Sequence, residues 1–132
     1  MSETAPMNTG TYSSGLYGDE AIYNLTPHAV VFRDENGEVA GRIEPCGTEA
    51  RLAETASDGF TAIGGIVVRD VSYGAADGLP GPQPGVLFIV PLATALAVRA
   101  AGDTRRDLLV PGAQTRDEHG TVNGCRELWR VA

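Results

Sequence analysis

Chemistry in this sequence has to come from few side chains. The chain holds two histidines, two cysteines and ten arginines, with no lysine anywhere. His28 stands in the run Asn24-Leu25-Thr26-Pro27-His28. Thr26 precedes a proline and is pushed to an extended conformation, which brings the imidazole to the start of a strand. There it can donate to an anionic oxygen or accept from a backbone amide. A histidine that caps its own turn is the competing reading, and the residues alone do not choose. Arg105-Arg106-Asp107 follows a helix stop. Two guanidinium groups in such a loop suit bidentate capture of phosphate or carboxylate, with Asp107 pinning one of them. Against this stands a solvated charge run that offsets a helix C-terminal dipole. Arg51, after the chain reversal at 45–48, and Arg69, in an otherwise apolar stretch, are further candidates. Tyr73 offers an aromatic face on which a base could stack.

Several chemistries are excluded. Without lysine there is no Schiff base, no lysine general base and no P-loop lysine. No Gly-x-Ser-x-Gly, His-Glu-x-x-His or Cys-x-x-Cys motif occurs, and no cofactor is expected. A dyad of Cys46 or Cys125 with His28 has no spacing in its favour. The net charge of -7 argues against nucleic acid and against an anionic membrane surface, both of which require clustered cations. No apolar run is long enough to span a bilayer, and the opening residues do not read as a secretory signal. Two cysteines are too few for a disulfide framework and read as reduced core residues of a cytoplasmic protein, with a bridge between them as the alternative.

The elements that must position these residues are legible in outline. The length of 132 residues suits one domain. Residues 1–20, poor in apolar groups, read as a flexible tail, with Tyr12 and Tyr17 able to latch onto a neighbouring subunit. Residues 21–132 read as one α+β domain. Ala29–Phe32 and Val39–Ile43 form a hairpin about Asn36-Gly37, in which both residues tolerate positive φ. The segment 33–41 is echoed at 116–124, with six of nine positions identical, which predicts a second hairpin with the same turn chemistry. Its closing strand, 125–131, is expected to face inward with Leu128 and either Val131 or Trp129. Residues 62–71 read as a strand broken by a bulge at Gly64-Gly65. Residues 74–85 read as a structured loop, and Val86–Val90 as a strand buried on both faces. Pro91 opens a helix carrying Leu92, Leu96 and Arg99, and Gly102 stops it. Leu108–Val110 is a short strand closed by Pro111-Gly112. The expected architecture is a small, mostly antiparallel β-sheet or partial barrel, with N- and C-terminal β-hairpins and one covering α-helix.

Three segments together resemble a known group. They are Tyr23–His28, then Gly78-Leu79-Pro80 leading to Leu87–Val90, then Arg106–Pro111 with the hairpin at 116–120. Over roughly residues 22–128 the chain resembles small proteins of tailed bacteriophages and of prophage-bearing actinobacteria. That resemblance implies a phage or prophage accessory protein acting in the cytoplasm of a bacterial host, but transfers no activity. The leading expectation is a non-enzymatic homo-oligomer that sequesters a small anionic, nucleotide-like ligand, as immune-signal sponges do in counter-defence. His28, Arg51, Arg105 and Arg106 would contact phosphate or carboxylate, and Tyr73 would stack. A virion or assembly protein and a small nucleotide hydrolase are the alternatives.

Overall fold

The structure, a computed structural model, describes residues 15–17 and 19–132. Its elements are β1 Gly15–Tyr17, β2 Glu20–Asn24, β3 Val30–Arg33, β4 Val39–Ile43, β5 Arg51–Ala56, β6 Thr61–Ile63, β7 Ile66–Val68, β8 Val71–Asp77, β9 Val86–Ile89, α1 Leu92–Ala100, β10 Leu108–Arg116 and β11 Val122–Trp129. Strands with one helix make an α+β fold. Pairing already begins at β1, within the stretch read as a tail. Tyr12 and the side chain of Tyr17 lie outside the described residues.

Seven strands form one sheet in the order β1-β2-β9-β10-β11-β3-β4. Its β2–β9, β9–β10 and β11–β3 junctions are parallel, so this sheet is mixed. Counting the two small sheets, antiparallel pairings still outnumber parallel ones, five to three. Parallel pairing enters where α1 carries the chain from β9 across to β10, a connection that no hairpin turn can make. The sheet is an open ladder that curls. Past β4, Pro45 returns to bridge Asn24 of β2, and the Cys46 amide donates to the Asn24 carbonyl at 2.9 Å.

The period-two alternation of β9 and β10 sorts apolar groups onto two faces. Phe88, Val90, Leu108 and Val110 join Leu25 and Ala50 beneath Ala95 of the helix. Ile89 and Leu109 point the other way and meet Val30, Phe32, Ile43 and Cys125 inside the curl. Residues 86–90 are thus buried on both faces, as their unbroken apolar run suggests. The helix itself turns Thr94 and Ala95 inward and leaves Leu92 and Leu96 exposed. Small side chains on the inner face let it lie close to the sheet. Gly102, with φ +90°, ends it where expected.

The echoed segments fold into matching turns. Asp34 accepts at Oδ1 from the amides of Asn36 and Glu38, and Asp117 accepts from those of His119 and Thr121. Arg33 donates to the Gly37 carbonyl and Arg116 to that of Gly120, each at 2.8 Å. Gly37 and Gly120 take φ of +82° and +83°. Asn36 does not take positive φ, so the Asn-Gly expectation holds only for its glycine. The aspartate forms the turn instead.

Three local readings are corrected. Gly64-Gly65 is the two-residue turn of a hairpin rather than a bulge, with φ of +58° and +84°, the primed geometry that matches strand twist. β8 runs to Asp77, shortening the expected loop. β10 continues through Pro111-Gly112 to Arg116. Pro111 and Gly112 stay paired with Leu128 and Glu127 of β11, and the Trp129 ring lies over Gly112, where a Cβ would lie 2.2 Å from the indole. Leu128 and Val131 pack inward, while Trp129 stays half exposed.

Residues 51–77 form a separate ribbon. β5 pairs with β8, and the smaller hairpin β6–β7 extends beyond them. The base of this arm meets α1, and nearly all its side chains are exposed.

Candidate functional site

The Asn24–His28 run is built around asparagine rather than histidine. Asn24 is fully buried. Its Nδ2 donates to the carbonyls of His28 and Ile43 at 2.9 Å each, and its Oδ1 accepts from the Thr26 amide and hydroxyl at 3.0 and 2.7 Å. One amide side chain thus closes an Asx turn and ties it to β4. The sequence signal, an Asn two residues before a Thr-Pro pair, was available but overlooked.

His28 supplies only its backbone carbonyl to this clamp, so Asn24 organises the turn that the capping reading gave to the histidine. Among the described residues no hydrogen bond or ion pair engages its exposed imidazole. The ring borders a groove of about 540 Å³, lined chiefly by Pro27, Val31, Pro91, Gln114 and Val122. This volume lies in the range of small-molecule sites, with an apolar wall and few polar groups.

Arg105 is committed to the fold. Its guanidinium forms a two-pronged pair with Asp107, at 2.7 Å on each oxygen, and donates to the Pro80 carbonyl at 2.8 Å. Both side chains are nearly buried, 8% and 11% exposed. The hydrogen bond to Asp107 raises the guanidinium pKa further, against the opposing effect of burial. The pair anchors the Gly/Pro loop at 78–85 to the start of β10, which commits the Nε and Nη2 donors of Arg105 to the fold. Arg106 points elsewhere and is exposed. Among the described residues nothing pairs with its guanidinium. It adjoins Arg99 and Arg130 at the C-terminal end of α1, where Arg130 donates to the Arg106 carbonyl at 2.7 Å and Arg99 to that of Asp103 at 3.1 Å.

Arg51 is exposed at the base of the arm and ion-paired with Glu49. Tyr73 lies on β8, 63% exposed, opposite Glu54. The five expected contacts do not share one groove, although the grooves of Tyr73 and of the two arginines adjoin at Val98 and Asp103. His28 borders one groove, Tyr73 another beside α1, and Arg105 and Arg106 a third. Arg69, which needed either solvent or a partner, has partners: it donates to the carbonyls of Asp58 and Ser57 and stacks 5.1 Å over Phe60.

Both thiols are free, Cys46 exposed and Cys125 buried. Burial pushes the Cys125 thiol up, partly offset by a backbone hydrogen bond at Glu127. Among the described residues no group of histidine, cysteine and carboxylate side chains could hold a metal ion. No helix there is long and apolar enough to cross a membrane.

What sequence reading missed is the arm. Phe60, Ile63, Ile66, Val67, Val68, Val71 and Tyr73 are all exposed on it, Ile63 and Ile66 at 61% and 67%. Apolar exposure on this scale is unusual for a protein surface. The signal is the uncharged run 59–68, whose glycine pair suggests a bulge or a close backbone approach as readily as a turn. No family model, curated protein or solved structure matches the chain.

Proposed function

We propose that the chain is a non-enzymatic protein that works as a self-associated assembly, with the arm as the element that joins copies. The apolar arm carries this reading. A two-stranded ribbon is marginally stable alone in water, and this one leaves seven large apolar side chains uncovered. Cover by another molecule removes that exposure, and a second copy is always present at equal concentration. The resemblance to phage and prophage proteins fits an assembly role, in a virion or a host-cell complex. The test is light scattering with native mass spectrometry on the full chain across a concentration series. Defined multiples of 13.8 kDa are expected, and a single copy at every concentration would end this reading.

A second reading keeps the capture of a small anionic, nucleotide-like ligand without turnover. The groove beside His28 favours it, as does the uncommitted Arg106 next to Arg99 and Arg130. Heating the protein after incubation with a panel of nucleotide signals should release an intact ligand, detected by mass spectrometry. Arg106→Ala should weaken its binding by about 1.5 kcal/mol, the scale of a charge-assisted hydrogen bond. An unchanged dissociation constant removes Arg106 from the site.

A further inference from the structure

We infer that the arm docks head to tail, its apolar tip seating in a groove on the body of the next copy. This rests on the assembly reading and names the acceptor. The groove, about 480 Å³, lies between Leu92 of α1, Pro111 and Gly112 of β10, Trp129 at the end of β11, and Val131. Leu92 and Trp129 are 54% and 51% exposed, and Leu96 continues the strip one turn along the helix. One chain therefore carries two separate apolar surfaces, a protruding one and a concave one. Two different, complementary patches on the same molecule make a heterologous contact, which closes into rings or extends as a chain of copies.

Charge favours this pairing over arm against arm. The tip, residues 59–68, holds no charged side chain of its own, and the guanidinium at its edge, Arg69 stacked over Phe60, is already held by the Ser57 and Asp58 carbonyls. Behind the tip stand Glu54, Asp58 and Asp70, for which no ion pair occurs among the described residues. Arg130 lines the groove and Arg99 and Arg106 adjoin it, three guanidinium groups against two carboxylates, Asp103 beside them and Glu127, which accepts from the Trp129 indole N–H at 2.7 Å. An acidic shaft thus faces a basic rim when tip meets groove. Two arms laid together would set acidic shafts against each other, in a protein already at -7. Trp129 supplies the acceptor with the aromatic anchor that dominates interface energetics. Gly112 holds that ring flat on the strand, leaving the groove open above it.

The experiment uses two full-length variants, Ile63→Asp with Ile66→Asp on the arm and Leu92→Asp in the groove. All three positions are exposed, and circular dichroism with thermal melting verifies that each variant stays folded. Each variant alone should lose assembly by tenfold or more in dissociation constant. Mixed in equal amounts, they should recover one contact, the intact arm of the groove variant entering the intact groove of the arm variant, and yield one-to-one dimers. If Leu92→Asp keeps the parental mass while the arm variant dissociates, arms pair with arms, and the docking inference fails while self-assembly stands. If both dissociate and the mixture stays monomeric, the inference also fails. If the parental protein is itself a single copy, the assembly reading fails with it.

Discussion

The body and the arm are both β-structure, yet they treat apolar residues in opposite ways. In β9 and β10 alternate side chains reach two different cores, so Ile89 and Val90 are both fully buried although they are neighbours. In β6 and β7 the same alternation leaves both faces uncovered, and Ile63 and Ile66 are mostly exposed. The difference lies in the layers around the strands. The body has the helix on one face and the curl of its own sheet on the other. The arm has neither beyond its base. An identical residue type is therefore a folding residue in one region and a contact residue in the other.

Substitutions can break this comparison, starting with the largest effect. Ile89→Ala should cost about 4 kcal/mol in denaturant unfolding, because the cavity it opens lies inside the curl. Asp107→Ala should cost about 3 kcal/mol by leaving a nearly buried Arg105 with only the Pro80 carbonyl. Asn24→Ala should cost about 2 kcal/mol by stranding the polar groups it bridges, and should speed hydrogen exchange at the Thr26 amide. Cys125 adds a pH dependence. Its folded pKa is raised, so its contribution is fully present below the ordinary thiol range, about 8.5, and is lost as pH climbs above it. Unfolding experiments should show that alkaline loss, and Cys125→Ala should flatten it. The smallest effect belongs to the arm. Ile66→Ala, measured where copies are dispersed, should leave stability within about 0.5 kcal/mol. A loss of several kcal/mol there would mean that the arm folds as part of the body, and the contrast would collapse.

Much of the body is legible from sequence because its signals are local. The repeated Arg-Asp-Glu-x-Gly turns need only an aspartate oxygen, neighbouring amides and a glycine at positive φ. The apolar run at 86–90 and the Pro91 to Gly102 limits of the helix are equally short in range. Ala113 shows where such reasoning stops. It takes φ +51° within β10, a conformation alanine adopts at a cost, between Gly112 and Gln114, which both pair with β11. In the candidate site one signal is equally local: Asp107, two residues from Arg105, pins that guanidinium and leaves Arg106 free, as the Arg-Arg-Asp run suggests. Both still border one groove, so what separates them is the carboxylate that Arg105 meets.

By itself the sequence determined the turn chemistry, the helix limits, the strand buried on both faces and the absence of lysine, which restricts any cationic contact to arginine and histidine. These depend on backbone dihedrals, hydrogen bonds a few residues long and side-chain identity. Only the tertiary structure decided which apolar strands are covered, which arginine is spent on a carboxylate, and that Asn24 rather than His28 holds its turn together. Burial depends on what packs from a distance along the chain, and no local pattern distinguishes an apolar strand that has found its second layer from one still presenting it to solvent.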